Sequence, residues 1–358
     1  MTMRTKEPIR KETSGERTDQ DFEQLAKPFR REIKLHCYRM LGSLHEAEDL
    51  VQETYLRAWR GFDGFNGGSF RAWLYRIATN ACLNAIASRK HTQRLLPDQL
   101  GPAATRMPEG TPPTEVTWLE PFPDVGLEGI ADESLDPEAR YASHEAVQLA
   151  FVAAIQQLPP RQRAALLLCD VLGWAADEAA ALLGGSTASI NSALQRAREK
   201  LSKQYPEGRP REASRPNPTQ QKLLNRYLQA WEEHDLDGFV ALLKDDATFT
   251  MPPWSQWYEG RKSIASFFGT AWKTCGGLRL VPTAANGQPA FAVYEHSAVS
   301  KHWAAHSIQV LTLQGNTISR LTAFLPPAGP QLIEAFGLPL VVPSVAATDT
   351  VETKYGTA

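Results

Sequence analysis

The sequence predicts a multidomain chain, two all-α bodies followed by an α+β domain, and three observations predict it. Apolar residues recur at helical spacing from residue 21 to about 90 and again from 143 to 204. Between those stretches lies an acidic, proline-bearing segment with no such period. Beyond residue 278 the pattern changes to alternating, strand-like runs separated by glycine turns. A chain of 358 residues is long enough for two or three separate cores.

Residues 1–20 are polar and read as a disordered tail, without the apolar stretch of a signal peptide. The first helical body, 21–92, holds three periodic segments: Phe22 to Leu41, Leu44 to Phe62, and Phe70 to Lys90. The loop DGFNGGS separates the last two. In the second segment Leu44, Ala47, Val51, Tyr55, Ala58 and Phe62 form one stripe for a core. Asp49, Gln52, Glu53, Leu56 and Arg60 lie opposite. A merely solvated face pairs its glutamates with lysines at i+4 and seldom exposes a leucine among them. This face therefore reads as a docking surface.

Residues 93–142 read as a linker. From Asp98 to Ala139 there are ten acidic residues against the single basic Arg106, which leaves nine net negative charges and favours an extended chain. Its stretch WLEPFPD, Trp118 to Asp124, carries aromatics too large for a segment that touches nothing, so it is expected to dock. The total charge of −2 says nothing about nucleic acid; its distribution does.

The second body, 143–205, ends in GWAADEAAALLGGSTASINSALQRAREKL. An alanine-rich helix, a Gly184-Gly185 break, Ser186 or Thr187 as N-cap and a further helix have the order of a helix-turn-helix. From Ser186 to Arg211 six basic residues (Arg196, Arg198, Lys200, Lys203, Arg209, Arg211) face two acidic ones (Glu199, Glu207), a difference of +4 that suits phosphate contacts. After a short linker at 206–216, the third domain spans 217–345 and a tail follows at 346–358. Lys222 to Glu233, Leu236 to Leu243 and Arg261 to Trp272 read as helices, Thr248 to Met251 as a strand, and a strand meander starts at Leu278. Helices followed by a meander make an α+β domain. Cys37, Cys82, Cys169 and Cys275 are scattered without metal-ligand spacing, so neither a metal, a cofactor nor a disulfide framework is expected. The reading is a soluble, cytoplasmic protein.

EAEDLVQETYLRAW followed by SFRAWLYRIATNACLNAIASRK resembles regions 2.2 to 2.4 of the extracytoplasmic-function (group IV) RNA polymerase sigma factors. LPPRQRAALLLCDVLGWAADEAAALLGGSTASINSALQRAREKL resembles their region 4. The two motifs occur in the right order and cover about half the chain. The resemblance implies a non-enzymatic alternative sigma factor that binds core polymerase and directs transcription initiation at promoters with −10 and −35 elements. It places Asp49, Gln52, Glu53 and Leu56 on the β′ clamp helices, and it implies the β flap as a second contact. For the −10 element it implies the loop from Phe65 to Ser69 together with Arg71, Trp73, Arg76, Asn80, Asn84, Arg89 and Lys90. These residues offer stacking faces, amides and phosphate contacts. Trp73 and Ile77, four apart, also fit a core pair. For the −35 element it implies Asn191, Ser192, Gln195 and Arg196, with Arg198 and Lys200 on the backbone. The acidic linker is expected to follow the RNA exit path of the polymerase.

RYLQAWEEHDLDGFVALLKDDATFTMPP, WYEGRKSIASFF and the meander resemble a SnoaL-like domain, a cone of sheet and helices around a pocket. In that family some members are cyclases or isomerases. The pocket candidates are Trp254, Trp257, Tyr258, His296, His302 and His306, with Asp246, Glu295 and Trp303 beside them. His302 and His306 are expected on one strand face with Ile308 and Val310. The leading expectation is that this domain packs on the helical bodies and modulates them. The competing readings are a ligand-sensing DNA-binding regulator and a cyclase or isomerase fused to a DNA-binding domain. The expected partners are core polymerase and promoter DNA, with room for an anti-sigma factor and with no membrane.

Overall fold

The computed structural model describes residues 19–88, 93–114, 116–128, 130, 146–204, 216–297 and 301–343. The first body contains α1 (Asp19–Ala26), α2 (Arg30–Leu41), α3 (Leu44–Arg60) and α4 (Phe70–Ala87). The continuous helix expected from Phe22 to Leu41 is broken by a 3-10 turn at Lys27–Phe29, because Pro28 has no N–H to give. Ser43 caps α3 by accepting from the Glu46 amide, and Ser69 caps α4 by accepting from the Ala72 amide. Leu44, Ala47, Val51 and Ala58 of α3 are buried as the stripe requires; Thr54 joins them and Tyr55 is half-buried.

The second body contains α5 (Leu149–Gln156), α6 (Pro160–Leu166), a π turn at Leu167–Val171, α7 (Ala176–Leu183) and α8 (Thr187–Gln204). Gly184 ends α7 in the left-handed region with φ 65°, and the Ser186 hydroxyl then accepts from the Ser189 amide to open α8. The helix-turn-helix is present where the glycine pair placed it.

The third domain contains α9 (Pro218–Glu232), α10 (Leu236–Ala241), α11 (Arg261–Ala271) and α12 (Ala328–Ala335). Its strands are β1 (Leu243–Thr250), β2 (Trp257–Glu259), β3 (Leu278–Ala285), β4 (Gln288–His296), β5 (His302–Gln314), β6 (Thr317–Phe324) and β7 (Val341–Pro343). The order is β2-β1-β6-β5-β4-β3, with β7 also on β5 and only β1–β6 parallel. Leu243 begins β1, so the helix expected from Leu236 stops at Ala241. α12 and β7 were not expected. α12 lies so close on the sheet that a Cβ at Gly329 would stand 2.1 Å from the His306 carbonyl oxygen, which demands glycine there.

Alternation divides the sheet. Phe291, Val293, Leu311 and Leu313 share a core with Tyr227, Trp231 and Phe239 from the covering helices. Ala290, Ala292, Tyr294, Ile308 and Val310 face α12 and belong to a second core, which runs without interruption through both helical bodies. One correction follows from the register. Tyr294 pairs with Ala305 and Val293 with Ser307, so His306 is the extra residue of a β-bulge. The bulge puts Ile308 and Val310 on the face of Ala305, not on that of His302.

Candidate functional site

On α3, Asp49, Gln52 and Leu56 are exposed and Glu53 is half-exposed. Leu56 is 48% accessible and Trp59, one turn further on, is 49% accessible, an apolar pair of a kind that partner surfaces use. Trp59 was missed in the sequence, where it falls between the stripe and the polar face. Glu53 is not a lone acid: Arg57 pairs with it at 2.6 Å, the i,i+4 pairing that the docking argument had set against this face. The exposed Leu56–Trp59 pair now carries the argument instead.

On α4, Arg76, Asn80 and Asn84 are exposed. Arg71 forks onto Glu32 at 3.0 and 2.9 Å and stacks over the Tyr75 ring at 5.1 Å. Trp73 is half-buried against Phe65 and Phe70, at 5.1 and 5.5 Å between centroids, so one side of it is core as its spacing to Ile77 allowed. Arg89 and Lys90 lie outside the described residues, as do Arg209 and Arg211. On α8, Asn191, Ser192, Gln195 and Arg196 are exposed. Arg198 forks onto Asp170 at 2.9 and 2.6 Å and Lys200 donates to the Gln157 carbonyl at 2.6 Å, so both brace their own body.

The two bodies touch. Tyr75 of α4 meets Trp174 at 5.6 Å, and a cleft of about 540 Å³ opens between Ser69, Trp73 and Arg76 on one side and Trp174, Glu178 and Leu182 on the other. Arg163 of α6 is 1% accessible. Its guanidinium donates to the Ile155, Gln156 and Leu158 carbonyls and the Gln156 side chain of its own body, and to Met40 O of the first. Arg39 donates back to Ala146 O at 3.1 Å, and burial lowers its pKa to about 10. His36 is held neutral, its pKa pushed down to about 3 by burial and by Arg39 and Arg71; its Nε2 meets Thr79 Oγ1 at 2.9 Å.

The linker and the third domain close this joint. The two-residue β3–β4 turn is Asn286-Gly287, both with positive φ (57° and 68°). Asn286 is wholly buried. Its Nδ2 donates to Tyr38 Oη at 2.9 Å in the first body and to Val147 O at 2.7 Å in the second. Its Oδ1 accepts from the Phe122 amide of the linker at 2.8 Å, and its own amide donates to Phe122 O. Beside it the Gly287 amide donates to Asp124 Oδ1 at 2.8 Å, and the Leu149 amide donates to Gln288 Oε1 at 3.0 Å. Burial raises the Asp124 pKa to about 6, with the Gly287 hydrogen bond pulling the other way. WLEPFPD docks as its aromatics required. Phe122 packs on Tyr38 at 4.8 Å, and Glu120 accepts from Ser43 Oγ and the Leu44 amide at the N-terminus of α3.

The proposed pocket residues are not gathered around one cavity. Trp257 and Tyr258 lie on β2, three strands and about 14 Å from β5. They hold the linker: Trp257 Nε1 donates to Gly101 O and Tyr258 Oη to Arg106 O, both at 2.8 Å. Trp254 packs at the edge of the inner core. His296 lies against Trp303 at 5.1 Å, His302 is exposed, and His306 meets Ser307 Oγ at 3.1 Å with a pKa lowered by burial.

Three family descriptions match the chain: Sigma-70 region 2 over residues 25–92, Sigma-70 region 4 over 148–201 and a SnoaL-like domain over 224–321. Across 323 residues it is 44% identical to the ECF RNA polymerase sigma factor SigG of Mycobacterium tuberculosis H37Rv, covering 89% of this chain and 84% of that one. The chain belongs to the extracytoplasmic-function RNA polymerase sigma factors. This sigma factor is also 31% identical over 222 residues to SigJ of the same organism, covering 62% of each chain. The crystal structure of M. tuberculosis SigJ matches its fold with a TM-score of 0.57 at 22% identity, over 90% of this chain and all of that one. Among the described residues of the sigma factor no helix is long and apolar enough to cross a membrane.

Proposed function

We propose that this sigma factor is held closed by its third domain, engages core polymerase through the open α3 face, and reads its promoter after the two helical bodies part. The observation that carries this reading is the joint itself, in which region 2, the linker, region 4 and the β3–β4 turn share one buried hydrogen-bond network around Asn286 and Arg163. The −10 and −35 elements are some 25 base pairs apart by their names, roughly 80 Å of duplex. The longest helix of each body spans only about 27 Å, so two bodies packed side by side do not reach both elements. The linker, pinned to Tyr38 and to β2, is likewise kept from any path through the polymerase.

In this reading Asp49, Gln52, Glu53, Leu56 and Trp59 meet polymerase. Arg76, Asn80 and Asn84 meet the −10 element, and Asn191, Ser192, Gln195 and Arg196 meet the −35 element. The third domain is a brace and not an enzyme. Its interior supports this, because Tyr227, Trp231, Phe239, Phe268 and Phe291 pack ring to ring where a cone would hold substrate.

The test is energy transfer between dyes at Ser88 and Ser202, exposed positions on the two bodies. Transfer is expected to be high in the free protein and to fall when core polymerase and promoter DNA are added. Reversing the charges at Asp49 and Glu53 is expected to prevent that fall. Unchanged transfer in a transcribing complex would overturn the reading.

A further inference from the structure

The cleft between the two helical bodies has a chemistry that neither body needs for packing. We propose that it binds a nucleotide, with the base against Trp73 and Trp174 and the phosphates on Arg76 and the N-terminal turn of α4, and that this ligand ties the two bodies together. The inference rests on the closed arrangement proposed above. Its volume of about 540 Å³ falls in the range of small-molecule sites. One tryptophan comes from each body: Trp73 is backed by Phe65 and Phe70 of its own body, and Trp174 lies across the joint on Tyr75 of the first, while both line the cleft.

The charges are divided in a way that favours an anion on one wall. Arg71 is already matched by Glu32. Arg76 is exposed and has no ion-pair partner among the described residues. Ser69 opens α4, a helix of 18 residues whose positive end lies in this wall. On the opposite wall Glu178 uses Oε2 to accept the Ala175 amide, which fixes the carboxylate and leaves its second oxygen as an acceptor for a ribose hydroxyl or an exocyclic amine. Aromatic faces beside a cation and helix amides are the features that hold a base and its phosphates.

The consequence is regulatory. Arg76 is also assigned to the −10 element above, and the family resemblance implies Trp73 there too, so ligand and promoter strand exclude each other, and each lowers the affinity for the other by the same factor. A nucleotide would therefore act as a second clasp, through residues other than those the β3–β4 turn holds.

The experiment uses the full chain with the dye pair described above, titrated by calorimetry with ATP, with GTP and with inorganic pyrophosphate. At least one nucleotide is expected to bind one to one and to keep transfer high when promoter DNA is added. Pyrophosphate is expected to bind roughly tenfold more weakly, because it lacks the stacking contribution of a base. Ala181→Glu places a second carboxylate in the cleft at an exposed site, and is expected to weaken nucleotide binding roughly tenfold without changing the melting temperature. Arg76→Ala is expected to weaken it to a similar degree. A closed chain that binds neither nucleotide at millimolar concentration overturns this inference alone. So does binding that ignores both substitutions, or pyrophosphate binding as tight as that of the nucleotides. A free chain with low transfer that no nucleotide raises overturns both the closed arrangement and the clasp.

Discussion

On one face of the seven-stranded sheet, Phe291, Val293, Leu311 and Leu313 lie under the rings of Tyr227, Trp231 and Phe239. On the other, Ala290, Ala292, Ile308 and Val310 lie under α12 and open into the core of the two helical bodies. Large rings fill the inner face, so a cone built to surround something surrounds its own side chains. Small and branched residues flatten the outer face, so that a helix and two neighbouring bodies pack against it. The contrast teaches that in this sigma factor the domain works through its outer surface and its β3–β4 turn. Substitutions at the joint should therefore matter more than substitutions in the cone.

Arg163→Met is the most severe way to break that contrast. The guanidinium satisfies carbonyls at Ile155, Gln156, Leu158 and Met40, and a thioether satisfies none of them. Buried acceptors left unpaired cost about 1–3 kcal/mol each, and partial relaxation leaves a net loss of about 3–5 kcal/mol. Thermal unfolding is expected to show the first and second bodies destabilised together. A loss under about 1 kcal/mol would mean that Arg163 merely fills space.

Asn286→Ala comes next. It removes the bonds to Tyr38, Val147 and Phe122 at once while leaving the β hairpin in place. It also puts alanine at φ 57°, so Asn286→Gly separates the two effects, since glycine adopts that angle without strain. Both are expected to open the joint by about 2–3 kcal/mol, seen as a fall in energy transfer and as higher run-off transcription from limiting sigma factor. If only the alanine variant opens, the backbone strain that alanine introduces, and not the loss of the side-chain bonds, opens the joint.

These two residues also mark where the sequence stopped being informative. The α3 stripe, the helix-turn-helix and the WLEPFPD anchor were legible because each is local: a period of 3.6, a glycine break with a serine cap, aromatics out of place in an acidic segment. Asn286 was not singled out; only its neighbour Gly287 marked a turn. Its partners are 139 to 248 positions away, and no spacing within the strand announces them. Arg163 sits in LPPRQRAAL just after Arg161 and Gln162 and looks like any helix-surface arginine. α12 was missed where Pro326, Pro327, Gly329 and Pro330 cluster. Those prolines fall before the helix and in its first turn, where no intrahelical donor is missed. The pocket candidates were chosen by residue type, and the sheet order then placed them strands apart.

A smaller effect is expected from pH at Asp124. Its pKa is raised from an ordinary 3.8 to about 6 in the docked chain. Between those values the docked carboxyl keeps its proton while the released one has lost it, so docking is favoured as pH falls toward 4. That contribution is lost as pH rises through 6, by about 3 kcal/mol at most. His36 and His306 act in the opposite direction on unfolding, because burial lowers both and the unfolded imidazoles take up protons first. The measurement is therefore a difference: energy transfer against pH in wild type minus Asp124→Asn. A residual slope of the stated sign between pH 4 and 6 supports the assignment, and superimposable curves remove it.

The smallest effect is expected in the cone, and it is the one that would reverse the comparison. His306 is the extra residue of the β5 bulge, its Nδ1 is 3.1 Å from Ser307 Oγ, and it lies next to the backbone that α12 covers. His306→Ala removes one half-buried ring and no bond between bodies, so it should cost about 1 kcal/mol or less and leave run-off transcription and energy transfer as in wild type. Because the neutral imidazole is the form favoured by burial, the wild type should lose some stability as pH falls below about 6.5, and the variant should lose less. If His306→Ala instead changed transcription as much as Asn286→Ala, the β5 bulge within the third domain would be the regulated element. That result would move the search for a signal from the joint to the cone.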